Sequence, residues 1–233
     1  MKYAPKDYVQ HIAEHVEPWT YLKFPYLKNV GWKGFVDGVD SGVYMATPLS
    51  RLNASDGMAT PLAQEQYDKF YETLGGKPVH QRLATHWARL IELLYAAERW
   101  VELVTDPEIT SPHVHAKPTE IPTEGIGIVE APRGTLTHQY WTDERGVVTK
   151  ANLIVGTTNN YAPIQMSTHK AATSLIKNGK VTEGLLNMVE MAFRAYYPCF
   201  GCATHSLPGQ MPLEITIRNS EGELVDSICQ FID

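Results

Sequence analysis

The sequence predicts an α+β fold that is predominantly helical. Three observations carry that expectation. Apolar residues recur at helical spacing from His80 to Val104, which marks one long amphipathic helix. The runs TLTHQYW and VVTKANLIV alternate across the turn Asp143–Gly146, which marks a hairpin. A second alternating pair flanks Glu221 and Gly222. With 233 residues, 43% of them hydrophobic, the chain can bury a real core as one domain or at most two.

Taken in order, Pro5–Glu17 reads as a first helix, with Tyr8, Val9, Ile12 and Val16 on one stripe and Pro18 as its stop. From Pro18 to Met58 the chain is rich in glycine and aromatic residues and reads as loop with short strands. That is long for a structureless connection, so it is expected to lie against something else. Thr60 and Pro61 supply an N-cap and a first-turn proline, and Gly75-Gly76 ends that helix. On the long helix, Leu83, Trp87, Leu90, Leu94, Ala97, Val101 and Val104 form the apolar stripe, with Arg82, Arg89, Glu92 and Arg99 off it. A proline-rich joint, 111–125, leads to a strand at 126–130 and then to the first hairpin. Helices at about Ile164–Ile176 and Thr182–Tyr196 follow, the latter running directly into Pro198-Cys199.

Composition narrows the function. A net charge of -6 without a Lys/Arg run argues against a nucleic-acid partner. No apolar stretch approaches the ~20 residues that cross a bilayer, and MKYAPKDYVQHIAEHVEPW lacks the core of a signal peptide. The expected setting is the cytoplasm, with no membrane partner. Three cysteines there are not a disulfide framework, and two of them, at CxxC spacing, point to metal or redox chemistry.

Several motifs fall away. Gly125-x-Gly127 precedes a strand instead of following one, so it is no dinucleotide loop. His113 and His115 sit in the proline-rich joint as surface residues, and His86 on the long helix is expected to be packed or half-buried. The stretch YYPCFGCATH, 196–205, differs in kind. Thiolates are soft ligands for zinc, copper(I), iron–sulfur clusters and nickel. A structural zinc site wants four ligands, and only Cys229 remains to help. A thioredoxin-like site wants the pair right after a strand, whereas this pair follows a helix. By the motif alone, metal binding and an inert buried pair stay level.

The motif does not stand alone. PCxxCATH, EAPRGTLTH (130–138) and ANLIVGTTNN (151–160), with HVEPWTYLKFPYLKNVGW (15–32) and HWARLIELLYAAERW (86–100), together resemble the C-terminal half of a nickel–iron hydrogenase large subunit of the cytosolic bidirectional group. The resemblance implies a central bundle of long helices with small peripheral sheets, over a domain at 1–205. It implies nickel and an iron carrying cyanide and carbonyl, with magnesium or iron at a nearby structural site. Cys199 would be a terminal nickel ligand, Cys202 a bridge to the iron, and His205 a contributor to the structural site. Pro132 and Arg133 would line the cyanides, Thr157 would offer them a hydroxyl, and Arg133 is the catalytic candidate for taking a proton as hydrogen splits. Implied partners are a maturation protease, the N-terminal half of the large subunit and an iron–sulfur small subunit.

Three departures from the family pattern bear on activity. No cysteine precedes position 199, so either a separate N-terminal half supplies two of the family's four thiolate ligands or the site is not built. Tyr197 stands where the family has an aspartate that would pair with Arg133. Beyond His205, residues 206–233 resemble the tail that the maturation protease removes. The expected function is reversible hydrogen oxidation, performed only with the missing half. The alternatives are an independent zinc protein and a non-catalytic structural or assembly subunit.

Overall fold

A computed structural model describes residues 3–200 and 213–230. Its architecture is mixed α/β: among the described residues, six α-helices and three small antiparallel sheets. No helix among them is long and apolar enough to cross a membrane.

The N-terminal segment departs from the expected single helix. A 3-10 turn, Pro5–Asp7, and a four-residue helix, α1 (Tyr8–His11), give way to strand β1 (Ile12–Val16). Strand β1 pairs with β2 (Lys23–Leu27), setting Ile12 opposite Leu27 and His15 opposite Phe24. Cross-strand pairing outweighs the weak helical stripe there, because Ile and Val suit a pleated surface as readily as a helix. The aromatic-rich stretch that follows folds back on this hairpin. Phe24 is buried, Phe35 meets it edge-on at 4.9 Å, and Trp32 stacks on His15 at 4.5 Å.

Helices α2 (Pro48–Ala54), α3 (Pro61–Leu74) and α4 (Ala84–Thr105) enclose one core cluster. Leu49 and Leu52 of α2, Tyr67 and Phe70 of α3, and Ala88 and Ile91 of α4 fill it. Helix α3 begins after Thr60, starts on Pro61 and ends at Gly75, whose φ of +87° suits glycine. Its N-terminal cap comes from another helix. The Glu98 carboxylate of α4 accepts from Thr60 Oγ1 at 2.7 Å, from the Ala63 amide at 2.9 Å and from the Leu62 amide at 3.0 Å. Partial desolvation pushes the Glu98 pKa up, but those three bonds outweigh it and hold the carboxyl below its ordinary range.

Helix α4 buries a face turned from the expected stripe, of which Trp87 still packs edge-on against Phe70 at 5.2 Å. Ala88 is fully buried and Ile91 nearly so, whereas Leu83, Leu90, Val101 and Val104 are exposed and Trp100 is 71% exposed. The helix is apolar on more than one side, so periodicity identifies a helix without saying which face packs. His86 falls on the exposed side, not half-buried as expected, while His113 and His115 are exposed surface residues as read.

The second half builds on a three-stranded meander, β3 (Glu124–Ala131), β4 (Gly134–Thr142) and β5 (Val148–Ile154). The Asp143–Gly146 turn is tied by Asp143 Oδ1, which accepts from the amides of Arg145 and Val147 at 2.9 and 3.0 Å. Helices α5 (Tyr161–Leu175) and α6 (Glu183–Arg194) follow, close to their expected bounds. The final hairpin pairs β6 (Leu213–Arg218) with β7 (Leu224–Gln230).

Candidate functional site

Three separate segments meet at one place: the β3–β4 turn, the 3-10 turn that leads into α5, and the end of α6. Ala131 pairs with Gly134, so Pro132 and Arg133 are the two loop residues of a tight hairpin. Gly134 is required there. Its φ is +149°, and a Cβ would sit 2.4 Å from the Gly156 carbonyl oxygen and 2.6 Å from that of Ala46. Arg51 of α2 fastens the same turn from outside. Its Nη1 donates to the Ala131 carbonyl at 2.8 Å, while Nε and Nη2 form a fork with the Glu92 carboxylate at 2.6 and 2.5 Å.

The second segment is the 3-10 turn Thr158–Asn160 with Thr157 before it, all four residues being buried. Thr157 Oγ1 accepts from the Cys199 amide at 3.1 Å, which ties this turn to the CxxC segment. A hydroxyl that accepts at its oxygen still holds a proton to donate. Asn159 donates to the Thr135 carbonyl at 2.6 Å and accepts from the Tyr44 hydroxyl at 2.5 Å. Asn160 bonds Ala46 and Arg133.

Helix α6 delivers the third segment. Its end tightens through Tyr196 N to Phe193 O and Tyr197 N to Arg194 O, at 3.0 and 2.9 Å. Tyr197 then takes a φ of +53°, a left-handed conformation that a residue with a Cβ adopts at a cost. Two guanidiniums lie over its ring, Arg133 at 4.6 Å and Arg89 at 5.5 Å from the centroid. Arg89 also donates to the Ala195 carbonyl at 2.9 Å. Burial holds its pKa below the usual arginine range; the charges of Arg51 and Arg133 act the same way, and Glu92 opposes them. The Arg133 and Arg89 Nε atoms are buried with no hydrogen-bond partner among the described residues. Beside Cys199, Phe200 stacks on Tyr161 at 6.2 Å and lines an open, mostly apolar cleft of about 380 Å³ that reaches Trp19 and Phe24.

Of the residues singled out from sequence, Pro132, Arg133, Thr157 and Cys199 therefore lie in one neighbourhood. Cys202 and His205 lie outside the described residues. Among the described residues no group of three or more His, Cys, Asp or Glu side chains could hold a metal ion. The Cys199 sulfur is disulfide-bonded in this structure, so it would ligate a metal only as the reduced thiolate. Arg51, Glu92, Arg89 and Asn160 also meet around the Arg133 turn, and nothing local in the sequence marks them as site residues. The first three sit among ordinary surface-type charges in the sequence, and only their convergence on the Arg133 turn marks them.

The profile of the nickel-dependent hydrogenases matches residues 39–205. The chain belongs to the nickel-dependent hydrogenase family. It is 52% identical over 231 residues to an F420-non-reducing hydrogenase iron-sulfur subunit of Archaeoglobus profundus, a match covering 99% of this chain and 47% of that one. Against the NAD-reducing hydrogenase HoxS subunit beta of Cupriavidus necator it is 42% identical, over 94% of this chain and 44% of the other. A crystal structure of an NAD+-reducing [NiFe]-hydrogenase in the H2-reduced state superposes with a TM-score of 0.78 at 38% identity, covering 87% of this chain and 43% of that chain. The kinship is with the nickel–iron hydrogenase large subunits, as the resemblance implied. The chain spans about half the length of the curated relatives that it matches.

Proposed function

We propose that this chain is the C-terminal part of a nickel–iron hydrogenase large subunit, supplying two of the four cysteine ligands, Cys199 and Cys202. The other two would come from an N-terminal half outside these 233 residues, and hydrogen would be oxidised reversibly only by the completed site. The observation that carries this reading is the Thr157–Cys199 hydrogen bond of 3.1 Å. It holds a soft sulfur donor in the neighbourhood of Arg133, whose buried Nε has no partner among the described residues.

The donor set fits the group the family name implies. A thiolate suits nickel, and a half-buried guanidinium, its Nε buried and without a partner among the described residues, and a hydroxyl suit acceptor ligands on a neighbouring iron. When bound, the nickel–iron group, with cyanide and carbonyl on the iron, would supply the centre at which hydrogen is split. Cys199 and Cys202 would hold the metals, and His205 would serve a nearby magnesium or iron. Pro132 and Thr157 would line the diatomic ligands, Thr157 with its remaining hydroxyl proton. Arg133 would present its N–H groups at the same face and is the candidate for handling the proton. Electrons would leave through an iron–sulfur small subunit, since Cys229 alone remains beside Cys199 and Cys202, too few to hold a cluster of its own. The domain would span 1–205, and 206–233 would be a tail for a maturation protease, all in the cytoplasm.

Tyr197 favours a second reading, a hydrogenase-like subunit without a complete metal site. A phenol ring gives Arg133 and Arg89 no counter-charge. Intact mass and metal analysis of the protein from its native host separates the two. Nickel, together with a partner bearing the remaining cysteines, supports the hydrogenase. A metal-free chain in a stable complex supports the second reading, and one tightly bound zinc overturns both.

A further inference from the structure

We propose that Asn160 is a positioning residue that sets the direction in which Arg133 leaves its turn. The inference rests on the reading of Arg133 as a site residue. Arg133 forms no ion pair among the described residues, so no carboxylate there orients its guanidinium. Its orientation is imposed from the backbone side. The Asn160 carboxamide is 1% exposed, and nearly all of its hydrogen-bonding capacity is used on two loops. Oδ1 accepts from the Ala46 amide at 2.9 Å, and Nδ2 donates to the Ala46 carbonyl at 2.9 Å and to the Arg133 carbonyl at 2.8 Å. A longer contact of 3.4 Å joins Nδ2 to the Gly156 carbonyl.

Ala46 and Gly156 are the same two segments that close on Gly134, where no Cβ would fit. The Arg133–Gly134 backbone thus lies in a slot whose walls are tied together by one side chain. Thr157, three residues before Asn160, holds the Cys199 amide. One short turn therefore fixes both ends of the Arg133-to-Cys199 spacing. Only a carboxamide provides the pattern. An isosteric carboxylate would set an acceptor against the Ala46 and Arg133 carbonyls, and alanine would leave them unpaired.

The test is NMR of the full chain. The Arg133 guanidinium lies 4.6 Å from the Tyr197 ring centroid, so its Hε is expected to resonate upfield, and it is assigned by the loss of that shift in Tyr197→Leu. In Asn160→Asp and Asn160→Ala the shift should disappear. The corresponding shift of Arg82, whose guanidinium lies 4.8 Å from the Tyr196 centroid, should persist. Folded variants that keep the Arg133 shift would overturn the proposal. Should neither variant fold, the wild-type chain decides. A scalar coupling across the hydrogen bond from Asn160 Nδ2 to the Arg133 carbonyl carbon, with slow carboxamide exchange, supports it; fast exchange without coupling overturns it. Neither measurement needs metal or hydrogen, so both stay interpretable if the hydrogenase reading fails.

Discussion

Replacing Tyr197 by leucine and by aspartate separates the two forces acting where α6 meets Cys199. The wild-type residue holds a φ of +53°, which costs a residue with a Cβ about 1–2 kcal/mol. Two guanidiniums over its ring, at 4.6 and 5.5 Å, return about 0.5–1 kcal/mol each for a half-exposed ring. Tyr197→Leu keeps the strain and loses the contacts, so it should cost about 1–2 kcal/mol. For a chain of this size that is a fall in Tm of roughly 2–8 °C. Tyr197→Asp loses the same contacts, but aspartate tolerates the left-handed region. It also accepts charge-assisted bonds from Arg133 and Arg89, worth about 1.5–3 kcal/mol. It should therefore melt at or above the wild type and several degrees above Tyr197→Leu. Thermal unfolding of the full chain at neutral pH, followed by far-UV circular dichroism, measures the difference. An aspartate variant melting at or below the leucine variant would refute the placement of both guanidiniums.

Glu92→Gln removes the carboxylate from the largely buried Arg51 fork and should cost about 2–4 kcal/mol, whereas Arg51→Met with Glu92→Leu should recover most of it; equal melting temperatures for wild type and single variant would count against the fork. Glu98 has a folded pKa below its unfolded value near ~4.3. Its stabilisation is complete above that unfolded value and is lost as pH falls through the lower folded one. Glu98→Gln should therefore flatten the acid limb of the stability–pH curve, and an unchanged limb would remove Glu98 from the α3 cap. Leu93→Lys with Trp100→Glu changes exposed positions on α4. The double variant should stay within about 0.5 kcal/mol per site of wild-type stability while lowering the fluorescence of a dye that binds apolar surface. A wild-type chain that binds no such dye would contradict the open α4 face.

Much of the fold was legible because its signals are local. Thr60-Pro61 and Gly75 bound α3, Asp143–Gly146 closes the first hairpin, and α5 and α6 fall near their expected limits. The misreadings arose where tertiary contact decides. Ile12 and Val16 fit either period, and the pairing with β2 settles them as strand. On α4 several sides are apolar, and the helices packed against Ala88 and Ile91 select the buried one. At the candidate site, Pro132, Arg133, Thr157 and Cys199 stand out in the sequence only through family motifs. Asn160 stands within one of those motifs, but its contribution is not legible there because it lies in bonds to residues 27 and 114 positions away.

The most direct measurement is the nickel and iron content, with hydrogen uptake, of a preparation containing only these 233 residues in reduced form. The expected result is substoichiometric nickel, no bound iron–nickel pair and no uptake, because under the proposal two thiolates would leave the site half built. One nickel and one iron per chain with hydrogen uptake would contradict the proposal that the remaining ligands come from elsewhere.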